Sequence, residues 1–197
     1  MAPLPPEVSF KTARAQAKGL ALNVELRRGS KGVGLYATAP IKRNSVIAYY
    51  LTTLFLETLH NPHDINYAVS IHGHPSLIGD LSRQSLPAPV RVRGRWVTYW
   101  GYFSNEPGAH ERQNCKLDDA MTGPFARPKG ARRLAPGDFW RFKLVSITDI
   151  SPGEEILWCY GTNYERDYAS NCQKKATPQG KDSIPRKSKR RISEKKK

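Results

Sequence analysis

Short β-type runs separated by glycine and proline turns constrain the fold of this chain more than any other feature of its sequence. Residues 23–26 and 35–37 flank a glycine-rich turn, and residues 45–55 are rich in β-branched and aromatic residues. Residues 65–71 and 139–147 alternate apolar and polar positions, as half-buried strands do. Because helical periodicity is scarce and no repeat is present, the sequence predicts a mostly β domain with short helices and long loops.

Composition and charge divide the chain into three parts. Hydrophobic residues make up 39% of the 197 residues, which is enough to bury the core of one domain. We expect an N-terminal extension over residues 1–20, a folded domain over residues 21–168 and a basic, disordered tail over residues 169–197. That tail holds eleven Lys and Arg against two acids, so nine of the fifteen net positive charges lie there. It suits nucleic acid, chromatin or a nuclear import receptor, or serves as a solvated end.

Three further segments have a local interpretation. Residues 10–18 are compatible with a short helix, whereas residues 82–95 and 123–137 combine proline, glycine and arginine and predict exposed loops. No run of about 18 apolar residues is present, so no transmembrane helix is expected. The N-terminus lacks a charged start followed by an apolar stretch, so no secretory signal is expected either.

Cysteine and histidine spacing predicts no metal site. The three cysteines stand apart without a CxC or CxxC pair, which argues against a zinc cluster and a disulfide scaffold and favours a reduced intracellular setting. His60 and His63, like His72 and His74, have ligand-like spacing but lack cysteine or acid partners at matching positions.

Three polar segments are candidates for chemistry, and each alone has an ordinary structural explanation. Residues 31–34 (KGVG) suit a glycine hairpin better than a dinucleotide fold, since Pro40 would break the helix that such a fold needs. Residues 105–115 resemble a surface loop. In residues 149–164, Glu154 and Glu155 could act as an acid/base pair, but their position at the start of a strand favours a structural role.

Together these segments resemble the SET domain of protein-lysine methyltransferases. Residues 31–37 (KGVGLYA) are similar to its GxG strand-turn, and residues 78–80 (IGD) to its apolar-x-Asp strand end. Asn105 and Asn114-Cys115 resemble the Asn-His and Asn-Cys elements, and residues 153–161 (GEEILWCYG) the C-terminal box. The resemblance spans residues 24–164. Three details resemble the PR/SET branch: the spacing from Asn105 to Gln113-Asn114, the presence of Trp100, and the YGxxY ending at residues 160–164. The sequence shows no zinc-finger array, unlike typical members of that branch. A compact viral or protist SET protein is the other interpretation.

The resemblance implies a fold, a cofactor and a set of site residues. The fold would consist of small curved sheets with a knot-like threaded C-terminal segment. The cofactor would be S-adenosylmethionine, with Tyr160 as the catalytic residue. The residues implied to bind the cofactor are Lys31, Gly32, Val33, Gly34, Tyr36, Asn105, Glu106, Asn114, Cys115 and Tyr160. The substrate channel would be lined by Tyr67, Trp158 and Tyr164.

The sequence departs from the family pattern at two of these positions. Glu106 stands where the family has His, and Trp158 stands where the family usually has Phe or Tyr. The zinc-binding cysteine clusters that flank the family's domain are also missing. The channel would then be closed by residues such as 164–168, or by a partner.

The implied function is transfer of a methyl group to a lysine of a histone or another nuclear protein. The partners would be a histone or nucleosome as substrate and DNA bound non-specifically by the tail, with no membrane. The location would be the nucleus, or the host nucleus if the protein is viral. Two alternatives stay open: a catalytically inactive SET-fold chromatin-binding module, supported by Glu106 and Trp158, and a nucleic-acid binder that uses only residues 187–191 (KSKRR).

Overall fold

An eleven-residue strand, β3 (Val46–Leu56), lies at the centre of the fold. The structure is a computed structural model and describes residues 10–59, 68–71, 73–80, 87–121, 132–161 and 166–172. The other elements are α1 (Phe10–Gln16), β1 (Val24–Gly29), β2 (Gly32–Ala37), β4 (Ala68–Ser70), β5 (Leu77–Asp80), β6 (Val90–Val92), β7 (Arg95–Val97), β8 (Cys115–Asp119) and β9 (Phe139–Ser146), with 3-10 turns at Glu57–Leu59 and Gly101–Phe103.

Antiparallel pairing joins five strands into one sheet in the order β4-β5-β3-β9-β8. β3 pairs with β9 along most of its length, with an irregularity between Val46 and Ala48. Two separate hairpins, β1–β2 and β6–β7, complete the strands that the structure describes. This arrangement confirms a mostly β architecture, and residues 45–55 and 139–147 form strands as predicted.

The core is built where these elements meet. Leu35 of β2, Ala48 of β3, Leu144 of β9 and Ile156 of the C-terminal segment are all completely buried in one apolar cluster. Full burial of a leucine or isoleucine side chain contributes about 1.5–3 kcal/mol to the stability of the folded state. The C-terminal segment is therefore held by the same core that holds the sheet.

Two local expectations have clear outcomes. A helix does form within residues 10–18, because Ala13 is buried against the core and Arg14 and Arg28 lie over the ring of Phe10. The expectation of a loop over residues 82–95 is wrong for its described part, since β6 and the start of β7 form a hairpin there. None of the helices in the described residues is long and apolar enough to cross a membrane.

Candidate active site

The C-terminal segment, residues 153–160, lies between β2 and the polar loop that begins at Asn105. On the β2 side, Ile156 N donates to the carbonyl of Leu35 at 2.7 Å. On the loop side, Trp158 N donates to the carbonyl of Asn105 at 3.1 Å. The three polar segments identified in the sequence therefore meet at one place.

Gly34 marks the closest approach among these segments. A Cβ atom at this position would overlap the carboxylate of Glu155 and lie 3.0 Å from Nδ2 of Asn105. That Nδ2 donates to Glu155 Oε1 at 2.7 Å and to the carbonyl of Val33 at 3.4 Å. Position 34 thus requires glycine for space, and the Asn105 side chain is fixed against the strand.

A lysine and two carboxylates surround this junction. Lys31 Nζ lies 2.6 Å from Glu111 Oε2 and 3.0 Å from Glu155 Oε2. Partial burial lowers the pKa of Lys31, but hydrogen bonds to the two carboxylates more than offset it, so that pKa is raised. Burial raises the pKa of Glu111, but Lys31 and the N–H of Gly108 hold it below its ordinary value. Lys31 is therefore a fixed cation in the site.

Tyr36 lies beside the same carboxylates, because it forms an antiparallel bridge with Glu155. Burial and then the negative charge of Glu155 raise the pKa of its hydroxyl. Arg27 lies over its ring at 5.0 Å. At the start of the strand Gly32 has φ 94°, a left-handed conformation that glycine adopts at little cost.

Asn114 and Cys115 hold the C-terminal segment through side-chain hydrogen bonds to its backbone. Asn114 Nδ2 donates to the carbonyl of Glu155 at 2.7 Å, and its Oδ1 accepts from Leu157 N at 2.8 Å. The Cys115 thiol is fully buried and donates to the carbonyl of Leu157 at 3.3 Å. Burial raises the pKa of this thiol, so it is held in the neutral form. The polar atoms of both side chains are thus engaged in holding the segment.

Tyr160 is positioned through both its backbone and its hydroxyl. Its Oη donates to the carbonyl oxygen of Ser104 at 3.0 Å, and its N–H donates to Glu106 Oε1 at 2.8 Å. Ser104 directly precedes Asn105 in the chain. Two oxygen atoms, one phenolic and one carbonyl, are therefore held together at the edge of the junction around Gly34 and Asn105.

Aromatic rings pack beside Tyr160. The ring centroid of Trp158 lies 5.1 Å from that of Tyr160 and 6.3 Å from that of Tyr50. Tyr50 also contacts Tyr102 edge-on at 5.9 Å, and burial raises the pKa of the Tyr102 hydroxyl well above its ordinary value. The buried indole N–H of Trp158 has no hydrogen-bond acceptor among the described residues, which leaves a donor for water or a ligand.

Glu106, at the family's His position, forms a buried clasp. Only 2% of the residue is exposed. Arg166 binds both oxygens at 2.6 Å, Tyr168 Oη donates to Oε2 at 3.0 Å, and Tyr160 N donates to Oε1. Burial by itself raises the pKa of Glu106, but these donors outweigh it and hold that pKa below its ordinary value. Glu106 is a structural anion in this site.

The clasp is part of a strap formed by residues 166–172. Ser170 Oγ donates to the carbonyl of Pro107 at 2.8 Å. Cys159 and Cys172 form a disulfide with a Cα–Cα distance of 5.5 Å. The cysteine spacing argued against a disulfide scaffold and favoured a reduced setting, so it did not predict this bond. The separation of 13 residues matches no short motif, although the fold brings the two cysteines together.

Glu106 and the two half-cystines also form a group whose candidate ligand atoms lie within 4.8 Å of one another. The sulfurs are bonded to each other, and the carboxylate is bonded to Arg166. These atoms are thus already engaged in the disulfide and the ion pair.

The structure gathers most of the predicted site residues and leaves two aside. Lys31, Gly34, Tyr36, Asn105 and Glu106, together with Gly32, Val33, Asn114, Cys115, Trp158 and Tyr160, lie around the junction described above. Tyr67 and Tyr164 lie outside the described residues, so their roles in the substrate channel stay predictions. His60, His63 and His72 also lie outside the described residues, so the expectation that they form no metal site stays a prediction as well.

Sequence reasoning missed Ser104, Glu111 and Glu155 as members of the site. It named residues 164–168 as a closing segment but did not predict the contacts of Arg166 and Tyr168 with Glu106. One signal was available. An acid at a position that the fold buries requires a cation partner, so Glu106 in place of His implied a lysine or arginine nearby. Glu155 was set aside as an edge-strand charge, whereas its carboxylate connects Lys31 to Asn105.

The family model of the SET domain matches residues 32–161, more than half of the chain. This protein therefore belongs to the SET-domain family. No curated protein sequence matches the chain.

Two solved structures illustrate the similarity. One is a candidate histone methyltransferase of Plasmodium falciparum, with a TM-score of 0.45 and 14% identity over 74% of this chain and 98% of that one. The other is the methyltransferase domain of human PR domain-containing protein 2, with a TM-score of 0.45 and 15% identity over 82% of this chain and 93% of that one.

Proposed function

We propose that this protein transfers a methyl group from S-adenosylmethionine to a lysine side chain of another protein. The observation that carries the proposal is the pair of oxygens at Tyr160 Oη and Ser104 O, 3.0 Å apart, beside the glycine junction of the site. The phenolic oxygen and the carbonyl oxygen can both accept weak CH···O contacts from a polarised methyl group that lies beside them.

The residues present fit such a cofactor. The backbone at Gly34 carries no side chain and lies next to the fixed amide of Asn105 and the carboxylate of Glu155, so polar groups converge there on the main chain. Lys31 supplies a cation suited to a carboxylate, and Glu111 and Glu155 supply anions suited to an ammonium or a sulfonium. When bound, S-adenosylmethionine supplies the methyl carbon, whose bond to sulfur breaks as its bond to the lysine nitrogen forms.

The aromatic surface prepares the lysine. A lysine ammonium has a pKa of about 10.4 and no lone pair for attack while it is protonated. Burial of that ammonium beside the rings of Trp158 and Tyr160 would disfavour its charge and lower its pKa, so that the proton leaves to solvent. Orientation of the neutral amine against the fixed Tyr160 hydroxyl then provides much of the rate.

The substrate in this proposal is a histone, free or in a nucleosome, and the protein acts in the nucleus, or in the host nucleus if it is viral. The basic tail over residues 169–197 supports this, because its net charge favours contact with the phosphates of DNA.

The test combines activity and cofactor binding. Purified protein is incubated with labelled cofactor and with free histones or nucleosomes, and mass spectrometry reports the site and degree of methylation. Tyr160→Phe removes one hydroxyl, so we expect at least a hundredfold slower transfer with cofactor affinity within a few-fold of wild type. Asp167→Asn, an exposed change in the strap, is the matched control and should transfer normally. Undiminished transfer by Tyr160→Phe would contradict the role of that hydroxyl.

A second candidate function is a non-catalytic chromatin-binding module, favoured by the Glu106 clasp and by the bulk of Trp158. Calorimetry with S-adenosylmethionine separates the two. Micromolar binding supports the enzyme, whereas no binding together with retained histone binding supports the module.

A further inference from the structure

The β6–β7 hairpin presents arginine and tryptophan to solvent. Arg91 and Trp96 are cross-strand partners and lie on one face, whereas Val90, Val92 and Val97 lie on the other face and pack toward the core. Arg91 is exposed on the first face, and Arg95, the cross-strand partner of Val92, is exposed on the second. Trp96 keeps 37% of its surface accessible. The hairpin therefore offers both an indole and guanidinium groups to a ligand at the surface.

The turn of this hairpin adds a third arginine at a position that folding does not favour. Arg93 has φ 49° and Gly94 has φ 80°, the pair of positive values that a two-residue type I′ turn requires. Asn or Gly is the residue that this first position prefers, and a bulky side chain there is uncommon. The requirements of the turn therefore do not account for the guanidinium of Arg93.

The hairpin forms one wall of a groove with a volume of about 610 Å³. The other wall includes Asn23 just before β1, Ile41, and residues 44–47 with the exposed side chain of Val46. The lining holds three arginines and no aspartate or glutamate. Within the described part of the chain, no carboxylate forms an ion pair with those arginines. The groove thus combines uncompensated positive charge with apolar surface.

We infer that this groove binds single-stranded nucleic acid. Guanidinium groups pair with phosphodiester oxygens, and the Trp96 indole offers a stacking face that any unpaired base can use. The amides of Asn23 and Asn44 can bond to base edges. An acidic peptide would satisfy the arginines but would leave the indole without a role, and a duplex keeps its bases stacked on each other.

This site is independent of the proposed methyl transfer. None of the residues that line the groove belongs to the candidate active site. Loss of transfer in Tyr160→Phe would therefore leave nucleic-acid binding in place, and failure of either proposal can be recognised without the other.

The experiment uses the full chain, and it compares variants of equal net charge because the basic tail is present in both. Fluorescence anisotropy follows binding of labelled dT12 at several salt concentrations. The hairpin variant carries Arg91→Gln, Arg93→Asn and Arg95→Gln, and the control variant loses the same charge through Lys18→Gln, Arg112→Gln and Arg133→Gln at exposed sites outside the groove. We expect the hairpin variant to bind at least tenfold more weakly than the control, with a salt slope smaller by about 2, since each phosphate contact on a single strand contributes about 0.7. Equal affinity and equal slope in the two variants would overturn the inference.

Two single substitutions separate the parts of the interaction. Trp96→Ala should weaken dT12 binding about tenfold and change duplex binding less than twofold; an equal effect on both would overturn the stacking role. Asn is favoured over arginine at position 93 of this turn, so Arg93→Asn should not lower the melting temperature. Weaker dT12 binding by this variant would then be due to loss of the guanidinium group. Stronger binding of a poly-glutamate peptide than of dT12, abolished in the hairpin variant, would assign the groove to acidic proteins instead and overturn the proposal.

Discussion

The guanidinium of Arg166 lies 2.6 Å from the carboxylate of Glu106, and the two side chains keep only 8% and 1% of their surface exposed. Glu106 and Arg166 are 60 residues apart in the chain. This pair joins the strap to the residue that follows Asn105, so we expect changes in the strap to affect the candidate active site.

Removal of one partner of this pair should cost far more than an exposed change nearby. Glu106→Gln leaves a buried guanidinium without its counter-charge, so we expect the free energy of unfolding to fall by about 3 kcal/mol or more. Asp167→Asn should change it by less than about 0.5 kcal/mol. Urea unfolding measures both. The double variant Glu106→Gln/Arg166→Met should lose less than the sum of its single variants, and additive losses would argue against direct coupling.

The same carboxylate should make stability depend on acid pH. The folded pKa of Glu106 lies below its ordinary value of 4.5. Its stabilising contribution is therefore complete above about pH 4.5 and is lost as the pH falls through the folded pKa. The stability difference between wild type and Glu106→Gln should stay constant from pH 7 to 5 and shrink below pH 4.5. A difference that widens in acid would contradict this assignment.

Gly34→Ala should displace the Glu155 carboxylate. The added methyl group would overlap it, so we expect a loss of about 1–3 kcal/mol in unfolding free energy and weaker cofactor binding. Glu155→Ser shortens the neighbouring side chain and makes room. The double variant should then lose less stability than the two single losses combined. Strict additivity would show that the overlap is not the cause.

The disulfide should stabilise the strap. Cys159 and Cys172 enclose a short loop, for which a contribution of about 3 kcal/mol is expected. Reductant should lower the unfolding free energy of wild type by that amount and leave Cys172→Ser unchanged. Thiol titration under non-reducing denaturing conditions should find one reactive group, Cys115. Three thiols, or no response to reductant, would contradict the bond.

Local patterns in the sequence predicted the strands but not the contacts between distant segments. The β-branched and aromatic content of residues 45–55 and the alternation in residues 139–147 correctly indicated β3 and β9. The β6–β7 hairpin was missed, because Arg93 occupies a position where Asn or Gly signals the turn.

The site shows the same division. The motif residues at 31–34, 105, 114–115 and 160 were found because each belongs to a short pattern. Arg166 and the disulfide belong to no such pattern, and their partners are set only by the folded chain. The threading of the C-terminal segment and the channel roles of Tyr67 and Tyr164 stay predictions.

The clasp also restricts how this protein can diverge. Histidine at position 106 would face the buried cation of Arg166, and loss of Arg166 alone would leave a buried anion. Either single step is disfavoured, so the two positions must change together or through a neutral intermediate. In a lineage of homologues, we expect acid at position 106 and arginine at position 166 to covary, and this covariation would mark a subgroup in which an ion pair joins the strap to the loop that begins at Asn105.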